Sequence, residues 1–302
     1  MFILTKKNYE KVFLYWLISI IILLIAMIVI GGLTRLTESG LSITEWELFK
    51  GVFWPKNLEE WQYYFTLYKQ IPQFKAINPN MSLEEFKYIY FWEWFHRILG
   101  RTIGLAFLAP FIYFFYKKIF TKEYNLKFFL IFILISFQGI LGWHMVKSGL
   151  VDDVTVSHYR LSFHLLIAFI ILSSLIWIFF NYSSSLNKKF FNKSKEFVSI
   201  KIFIFFIFFQ ITFGAFVSGL DAGKVYQTWP LMNDSFFPND VIVKNVFDLF
   251  NFQERSLVQF FHRNIAYFIF FLIFFIGFLI KKKKLNNLLK SYFYVLFLVL
   301  FQ

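Results

Sequence analysis

The chain has 302 residues, of which 58% are hydrophobic and 24% aromatic, and this composition is too apolar for a soluble protein of that length. Its formal net charge of +13 would indicate a nucleic-acid partner in a soluble protein, but the lysines cluster between apolar runs, where the positive-inside rule accounts for them. The chain has no cysteine, which excludes disulfides, thiolate metal sites and cysteine nucleophiles.

Six apolar runs are each long enough to cross a bilayer, which takes about 20 residues. We predict these spans, in chain order, at 12–33, 92–116, 128–145, 161–181, 202–219 and 257–280. A last apolar segment, Tyr292–Gln302, is too short to cross and would leave backbone groups unsatisfied in lipid. The pattern predicts an all-α polytopic membrane protein.

Two long polar segments separate the spans, at 43–90 and at 220–256. In the first of them Ser82 stands three residues before Glu85, which predicts a capping box that opens a short helix. Loops of this length without structure of their own are usually functional.

Lysine placement predicts the orientation in the membrane. The lysines of residues 1–11 and those that follow the second, fourth and sixth spans all fall on one side, which the positive-inside rule makes the cytoplasm. Both long loops then face outward. The first residues match neither a cleaved signal nor a transit peptide, so we expect a bacterial inner membrane, with the N-terminus cytoplasmic.

The second half of the chain repeats the first. At one constant offset, four residues align with four others: Gly31, Glu38, Gly40 and Trp46 with Gly214, Asp221, Gly223 and Trp229. At a smaller offset, three residues of the second span align with three of the sixth: Glu93 with Gln259, His96 with His262 and Arg97 with Arg263. The repeat predicts two pseudo-symmetric four-helix bundles, 1–182 and 183–302.

The alignment also predicts how the repeat ends. Phe137–Gln138 of the third span align with Phe301–Gln302, so the sequence stops midway through a seventh span. We therefore expect eight spans in the complete protein, with the seventh cut short here and the eighth missing.

Three of the five histidines lie in the first turns of spans that enter from outside. His96 and His164 are expected at similar depth in the first bundle, and two imidazoles facing each other across four helices are the usual way to hold a haem by both axial positions. His262 would do the same in the second bundle, with a partner beyond the given sequence. We expect His144, at a helix end, and His158, in a loop, to be structural. A zinc site is disfavoured because the histidines lie on separate spans.

Charged residues accompany these histidines. Arg97, Arg160 and Arg263 stand at the outer ends of the spans, where they would bind haem propionates or anchor the helices at the membrane interface. Ionisable groups at the edge of a span are candidate functional residues.

Glu93 distinguishes the two halves. It lies three residues before His96 and so shares its helical face, whereas the aligned residue of the second half is the neutral Gln259. This asymmetry predicts reaction chemistry in the first bundle and a passive cofactor in the second.

Six motifs together resemble the haem A synthase family, in its alphaproteobacterial and mitochondrial branch, from the first span to Gln302. They are, in chain order, GGLTRLTESGLSITEW, EWFHRILGR, GWHMVKSGL, YRLSFHL, SGLDAGKVYQTWPLMN and FFHR.

The resemblance implies an eight-span oxidoreductase that converts the methyl group of haem O to the formyl group of haem A for terminal oxidase biogenesis. It implies that His96 and His164 hold the substrate haem. It assigns Glu93 to stabilising a cationic intermediate or orienting a reactive water, and His262 to the haem b cofactor. A haem O synthase and an electron acceptor are the implied partners. His144 departs from the aromatic or aliphatic residue expected there, and the cysteine pair of other branches has no counterpart in this chain.

Two alternatives stay open. One is a non-catalytic electron-transfer cytochrome with two b-type haems, in which Glu93 is structural. The other is a transporter, because repeated halves are common in that class. It is disfavoured because the polar residues gather at the outer helix ends and not at breaks in mid-membrane.

Overall fold

The structure is a computed structural model that describes residues 3–45, 52–150, 154–183 and 198–302. Within these ranges the α-helices are α1 (Glu10–Leu36), α2 (Leu58–Tyr68), α3 (Pro72–Ile77), α4 (Leu83–Tyr116), α5 (Lys122–Gly149), α6 (His158–Ser183), α7 (Val198–Gly219), α8 (Arg255–Lys282) and α9 (Leu289–Phe301). Six of them, α1 and α4 to α8, are long and apolar enough to cross a membrane. This confirms the predicted all-α polytopic membrane protein.

The chain divides into two compact units, Met1–Lys189 and Phe190–Gln302. Four membrane helices form a bundle in the first unit, where α1 and α5 each pack against both α4 and α6. Aromatic rings fill its core: Trp16 contacts Phe107 and Phe128, with ring centroids 5.3 Å apart in both pairs. Trp16 also donates its Nε1–H to the Ala106 carbonyl at 2.9 Å, which satisfies its polar group inside the bundle. In lipid the association of helices gains nothing from the hydrophobic effect, so close packing of this kind is what drives it.

The segment before α1 is fastened to the connection between α4 and α5. The Thr5 amide donates to the carbonyl of Ile119 at 2.7 Å, and the Thr121 amide donates to the carbonyl of Ile3 at 3.0 Å. Ile3 and Ile119 are buried. This backbone staple closes the bundle at the end away from the long loop.

Helix α4 is longer than the membrane is thick. Its 34 residues extend about 51 Å at 1.5 Å per residue, against about 30 Å of hydrocarbon. The predicted capping box of Ser82 and Glu85 is present. The prediction that it opens a separate short helix is wrong, because it opens α4, which continues unbroken into the span.

The extra turns of α4 carry a small aromatic layer built from the long loop. Phe86 and Tyr90 of α4 are fully buried against Trp61, Phe65 and Tyr68 of α2. Apolar contacts continue on the face of α4 after the helix leaves the membrane, which is why the helix does not break there.

The described part of the second unit consists of α7, α8 and α9, with α8 packed against both of the others. Buried isoleucines recur every three or four residues along α8: Ile265, Ile269, Ile273, Ile276 and Ile280. On α8, Gly277 lets α9 approach closely, since a methyl group there would overlap the hydroxyl of Tyr292. The short apolar segment predicted at the end of the chain belongs to α9.

Several details differ from the sequence-based expectations or lie beyond the described ranges. Helix α5 continues to Gly149, so His144 lies within a helix, exposed, and not at its end. His158 is not in a loop: it is the first residue of α6 and only 5% exposed. Trp46, one of the repeat positions, and the lysines between residues 184 and 197 lie outside the described residues.

Candidate functional site

The first bundle brings two histidines together. His96 lies on α4 and His164 on α6, two helices that both pack against α1 and α5. The Nδ1 atom of each ring is buried, and within the described ranges it has no hydrogen-bond partner. Buried polar atoms in folded proteins are nearly always paired, so the unpaired Nδ1 atoms show that no hydrogen bond from the described residues fixes these two rings.

A glycine on the neighbouring helix faces each of these rings. A methyl group at Gly31 of α1 would lie 3.2 Å from Cε1 of His96 and 3.6 Å from its Nδ1. A methyl group at Gly142 of α5 would lie 3.7 Å from Cε1 of His164. Each imidazole therefore lies beside a notch that a side chain at the glycine would enter.

Gln138 fixes α5 against α6 at the level of His164. Its Nε2 donates to the backbone carbonyl of His164 at 2.9 Å. This bond supports the backbone that carries the imidazole and leaves the ring itself unheld.

The second unit repeats the histidine and its glycine. His262 lies on α8, and a methyl group at Gly214 of α7 would lie 3.3 Å from its Cε1. Its Nδ1 is buried, and nothing in the described part of the chain bonds to it. Its Nε2 lies 3.3 Å from Nε2 of Gln210. The aligned pairs Gly31–His96 and Gly214–His262 therefore make the same contact in both halves.

Glu93 lies one turn before His96 and is only 3% exposed. Its Oε2 accepts from the Ser42 hydroxyl at 2.7 Å and from the Ile43 amide at 2.8 Å. Its Oε1 accepts from Nη2 and Nε of Arg97, at 2.6 and 3.1 Å. These four donors replace the water that the buried carboxylate has lost, and one of the partners carries the opposite charge.

Arg97 joins this carboxylate to the start of the long loop. Its Nη2 also donates to the Ile43 carbonyl at 2.9 Å, and its Nη1 donates to the Glu45 carbonyl at 3.4 Å. Glu93 and Arg97 therefore clamp the loop against α4 directly above the histidine.

The second unit uses the same clamp without a carboxylate. Oε1 of Gln259 accepts from the Tyr226 amide at 3.1 Å, and its Nε2 donates to the Tyr226 carbonyl at 2.8 Å. Arg263 donates to the same carbonyl at 2.7 Å. Tyr226 aligns with Ile43, and Val225 takes the place of Ser42. The side-chain amide of Gln259 donates one of the hydrogen bonds itself, whereas the carboxylate of Glu93 can only accept and receives an additional one from the Ser42 hydroxyl.

Asp240 fastens the second loop to α8. It accepts hydrogen bonds from the hydroxyls of Ser256 and Tyr226. Burial pushes the pKa of the Asp240 carboxyl upward, but these hydrogen bonds outweigh it and hold the pKa below its ordinary value.

Arg160, the third predicted arginine, differs from the other two. It lies on α6 one turn before His164, and it makes no hydrogen bond to the described part of the chain. Arg97 and Arg263 have donors committed to loop carbonyls, whereas no described residue accepts a hydrogen bond from the guanidinium of Arg160.

The donor set in the first bundle fits a haem better than a single metal ion bound by several side chains. Within the described ranges no three His, Asp or Glu side chains gather around one point. Two imidazoles with unbonded nitrogen atoms, lying in glycine notches on separate helices, suit a planar group bound between them.

Sequence reasoning missed three parts of the site. Ser42 and the glycines Gly31 and Gly142 lie far in sequence from the residues they contact, although the glycine of the GG pair that aligns with Gly214 was a usable signal. Gln210 gave no signal at all, since an isolated glutamine in an apolar run has no spacing to interpret.

These features define a class: a polytopic helical membrane protein with imidazoles held in glycine notches and a buried, paired carboxylate in its first half. The model of the cytochrome oxidase assembly protein family, COX15-CtaA, matches residues 14–302. The chain belongs to this family.

Curated relatives agree with this assignment. "Heme A synthase" of Pelagibacter ubique is 46% identical over 285 residues, covering 92% of this chain and 82% of that protein. "Heme A synthase" of Flavobacterium psychrophilum is 43% identical, covering 93% and 83%. "Heme A synthase" of Parvibaculum lavamentivorans is also 43% identical, covering 87% and 76%. No solved structure matches the chain.

Proposed function

We propose that this protein is a haem A synthase, an oxidoreductase that converts the methyl group of haem O to the formyl group of haem A. The observation that carries the proposal is the pair His96 and His164, two imidazoles on different helices of one bundle, each beside a glycine notch. The names of the curated relatives support the same activity.

In this proposal the first half, residues 1–182, binds the substrate. His96 and His164 hold the iron of haem O from both sides, so the porphyrin cannot turn or slide in the bundle. Glu93 supplies a fixed negative charge beside His96. Oxidation withdraws electrons from the methyl carbon, and a buried carboxylate stabilises the positive charge that develops there.

The second half, residues 183–302, holds a resident haem b in this proposal. His262 would hold this haem, and the notch at Gly214 leaves room beside its ring. A bound haem b would accept electrons and pass them on. Gln259 in place of a carboxylate suits a site where no charge has to be stabilised.

Arginines would hold the carboxylates of the haems. Arg160 is the strongest candidate, because it lies one turn from His164 and none of the described residues accepts a hydrogen bond from it. Arg97 and Arg263 would contribute positive charge near the same level while they hold their loops.

The setting we propose is the inner membrane of a bacterium, with the N-terminus in the cytoplasm and the long loops outside. The ends of α4 and α8 opposite to the histidines carry lysines that the positive-inside rule places in the cytoplasm: Lys117, Lys118 and Lys281 to Lys284. The substrate would come from a haem O synthase, and an electron acceptor would reoxidise the second haem.

The test is co-expression with a haem O synthase, followed by extraction and chromatography of the haems. We expect haem A. Recovery of haem O and haem B alone would overturn the proposal. Glu93→Ala should keep haem binding and lose conversion, whereas His96→Ala should lose the product altogether.

One observation favours a second candidate, a di-haem electron-transfer cytochrome. Both oxygens of Glu93 are engaged with Ser42, Ile43 and Arg97, as expected for a structural residue. A reversible b-type difference spectrum, with no change of haem type under any condition of the test, would favour this candidate.

A further inference from the structure

The histidines lack the support that usually orients a metal-binding imidazole. A ligating histidine normally donates its second ring N–H to a carboxylate, a carbonyl or water, and that bond fixes the ring plane. In His96, His164 and His262 the Nδ1 atom is buried, and the described residues provide it with no partner. Another feature of the chain must therefore fix these rings.

The glycine notches are the feature that all three rings share. A methyl group added to the glycine would lie 3.2 Å from Cε1 for Gly31 and His96, 3.3 Å for Gly214 and His262, and 3.7 Å for Gly142 and His164. Cε1 lies between the two ring nitrogens, so a methyl group placed against this atom would turn or displace the ring.

We propose that Gly31, Gly142 and Gly214 are positioning residues: because they have no side chain, they leave the space in which the imidazoles adopt their ring planes, where no described residue bonds to Nδ1. This inference rests on the proposed function only in requiring that these histidines hold haem. The contact recurs on three helix pairs in two separate units, and the aligned positions Gly31 and Gly214 preserve it while the loops between them differ in length.

The chain offers closely matched controls. Gly32 is adjacent to Gly31 on α1, and Gly139 lies one turn from Gly142 on α5, and a methyl group at either would meet nothing within 4 Å. Glycine to alanine favours the helix at all of these positions. A difference between Gly31→Ala and Gly32→Ala therefore reports the contact with His96 and not the helix.

The experiment measures low-temperature electron paramagnetic resonance and the reduction potential of each haem in the purified, haem-loaded protein. The relative orientation and environment of two axial imidazoles determine both quantities. We expect Gly31→Ala to shift the highest g value and the potential of the haem held by His96, or to abolish its low-spin signal. Gly214→Ala should do the same to the haem held by His262 and leave the first haem unchanged.

The distances also predict a ranking. Gly142→Ala should give a smaller shift than Gly31→Ala, because 3.7 Å is ordinary contact while 3.2 Å requires the ring to move. Gly32→Ala and Gly139→Ala should match the wild-type spectrum. Full haem content with wild-type spectra in both Gly31→Ala and Gly214→Ala would overturn the inference.

Loss of haem from the glycine variants also tests the inference. Loss in Gly31→Ala with retention in Gly32→Ala supports the inference, and equal loss in both overturns it. A wild-type protein that binds haem but never yields haem A contradicts the proposed function alone, because the spectra of the glycine variants still test the notches. A wild-type protein without haem overturns both.

Discussion

Replacing Glu93 by glutamine keeps the size of the side chain and removes its charge at a position that is 3% exposed. The hydroxyl of Ser42, the amide of Ile43 and the guanidinium of Arg97 converge on the two carboxylate oxygens. Glutamine offers a single oxygen. Its NH₂ group replaces one carboxylate oxygen, so either Arg97 or the pair of donors from Ser42 and Ile43 loses its acceptor.

The stability lost in Glu93→Gln follows from the burial of the two side chains of the ion pair. The side chains of Arg97 and Glu93 are 8% and 3% exposed, and removing one partner of a buried ion pair costs about 3–5 kcal/mol. Glu84→Gln is the matched control. Glu84 is on the same helix, its side chain is 79% exposed, and its pair with Lys87 contributes about 0.2–1 kcal/mol.

The second unit shows how to repair the contact without restoring the charge. There Gln259 makes the equivalent contacts, and Val225 occupies the position of Ser42. The double variant Ser42→Val with Glu93→Gln copies that arrangement. We expect it to recover most of the stability lost in Glu93→Gln, and to convert haem O on the order of 100-fold more slowly than wild type, the scale of losing one preorganised electrostatic group.

The assays are thermal inactivation in detergent for stability, and chromatography of extracted haems from cells that also express a haem O synthase for conversion. A double variant that makes haem A at the wild-type rate would show that Glu93 acts only as a clamp. A Glu93→Gln variant as stable as Glu84→Gln would show that the magnitude derived from burial is wrong.

Three further predictions concern other residues. His262→Ala should remove one of two haem signals in a redox titration, because His262 is the only histidine between residues 183 and 302. Arg160→Ala should speed haem transfer to apomyoglobin about tenfold, equivalent to about 1.4 kcal/mol, and Arg160→Lys should recover only part of this, since lysine cannot make the bidentate contact. Because the folded-state pKa of Asp240 is lowered, its contribution to loop stability is present above about pH 4 and is lost as pH falls through the folded pKa. Amide hydrogen exchange of residues 220–254, corrected for intrinsic rates, should therefore accelerate below pH 4.

Each of these has an outcome that contradicts it. Two undiminished haem signals in His262→Ala would remove that residue from the ligand set. Haem transfer at the wild-type rate in Arg160→Ala would leave the arginine as an interface anchor. Exchange in the loop that is independent of pH, or equally dependent in Asp240→Asn, would show that the carboxylate does not hold the loop.

The sequence was sufficient to predict the six membrane helices, because a span is a local property: about 20 apolar residues in a row are visible without knowing any contact. The capping box of Ser82 and Glu85 was local in the same sense. What the sequence did not show is that α4 starts at this box, since the turns outside the membrane are stabilised by distant rings of α2 such as Trp61 and Tyr68.

The contacts around the histidines could not be predicted from the sequence, because they also join residues that lie far apart in the chain. Ser42 reaches Glu93 from 51 positions away, and Gly31 meets His96 across a helix pair. Apolar periodicity says which face of a helix is buried but not which residue of a neighbour it meets. His158 was placed in a loop because the polar residues around it hide the start of α6.

The staple between Ile3–Thr5 and Ile119–Thr121 has a consequence for biosynthesis. The staple and the ring of α1, α4, α5 and α6 both lie within the first 183 residues. The contacts described for the first bundle can therefore all form while the ribosome is still translating the second half. We expect the insertion machinery to release α1 to α6 as an assembled substrate-binding bundle, before the helix that carries His262 has entered the membrane.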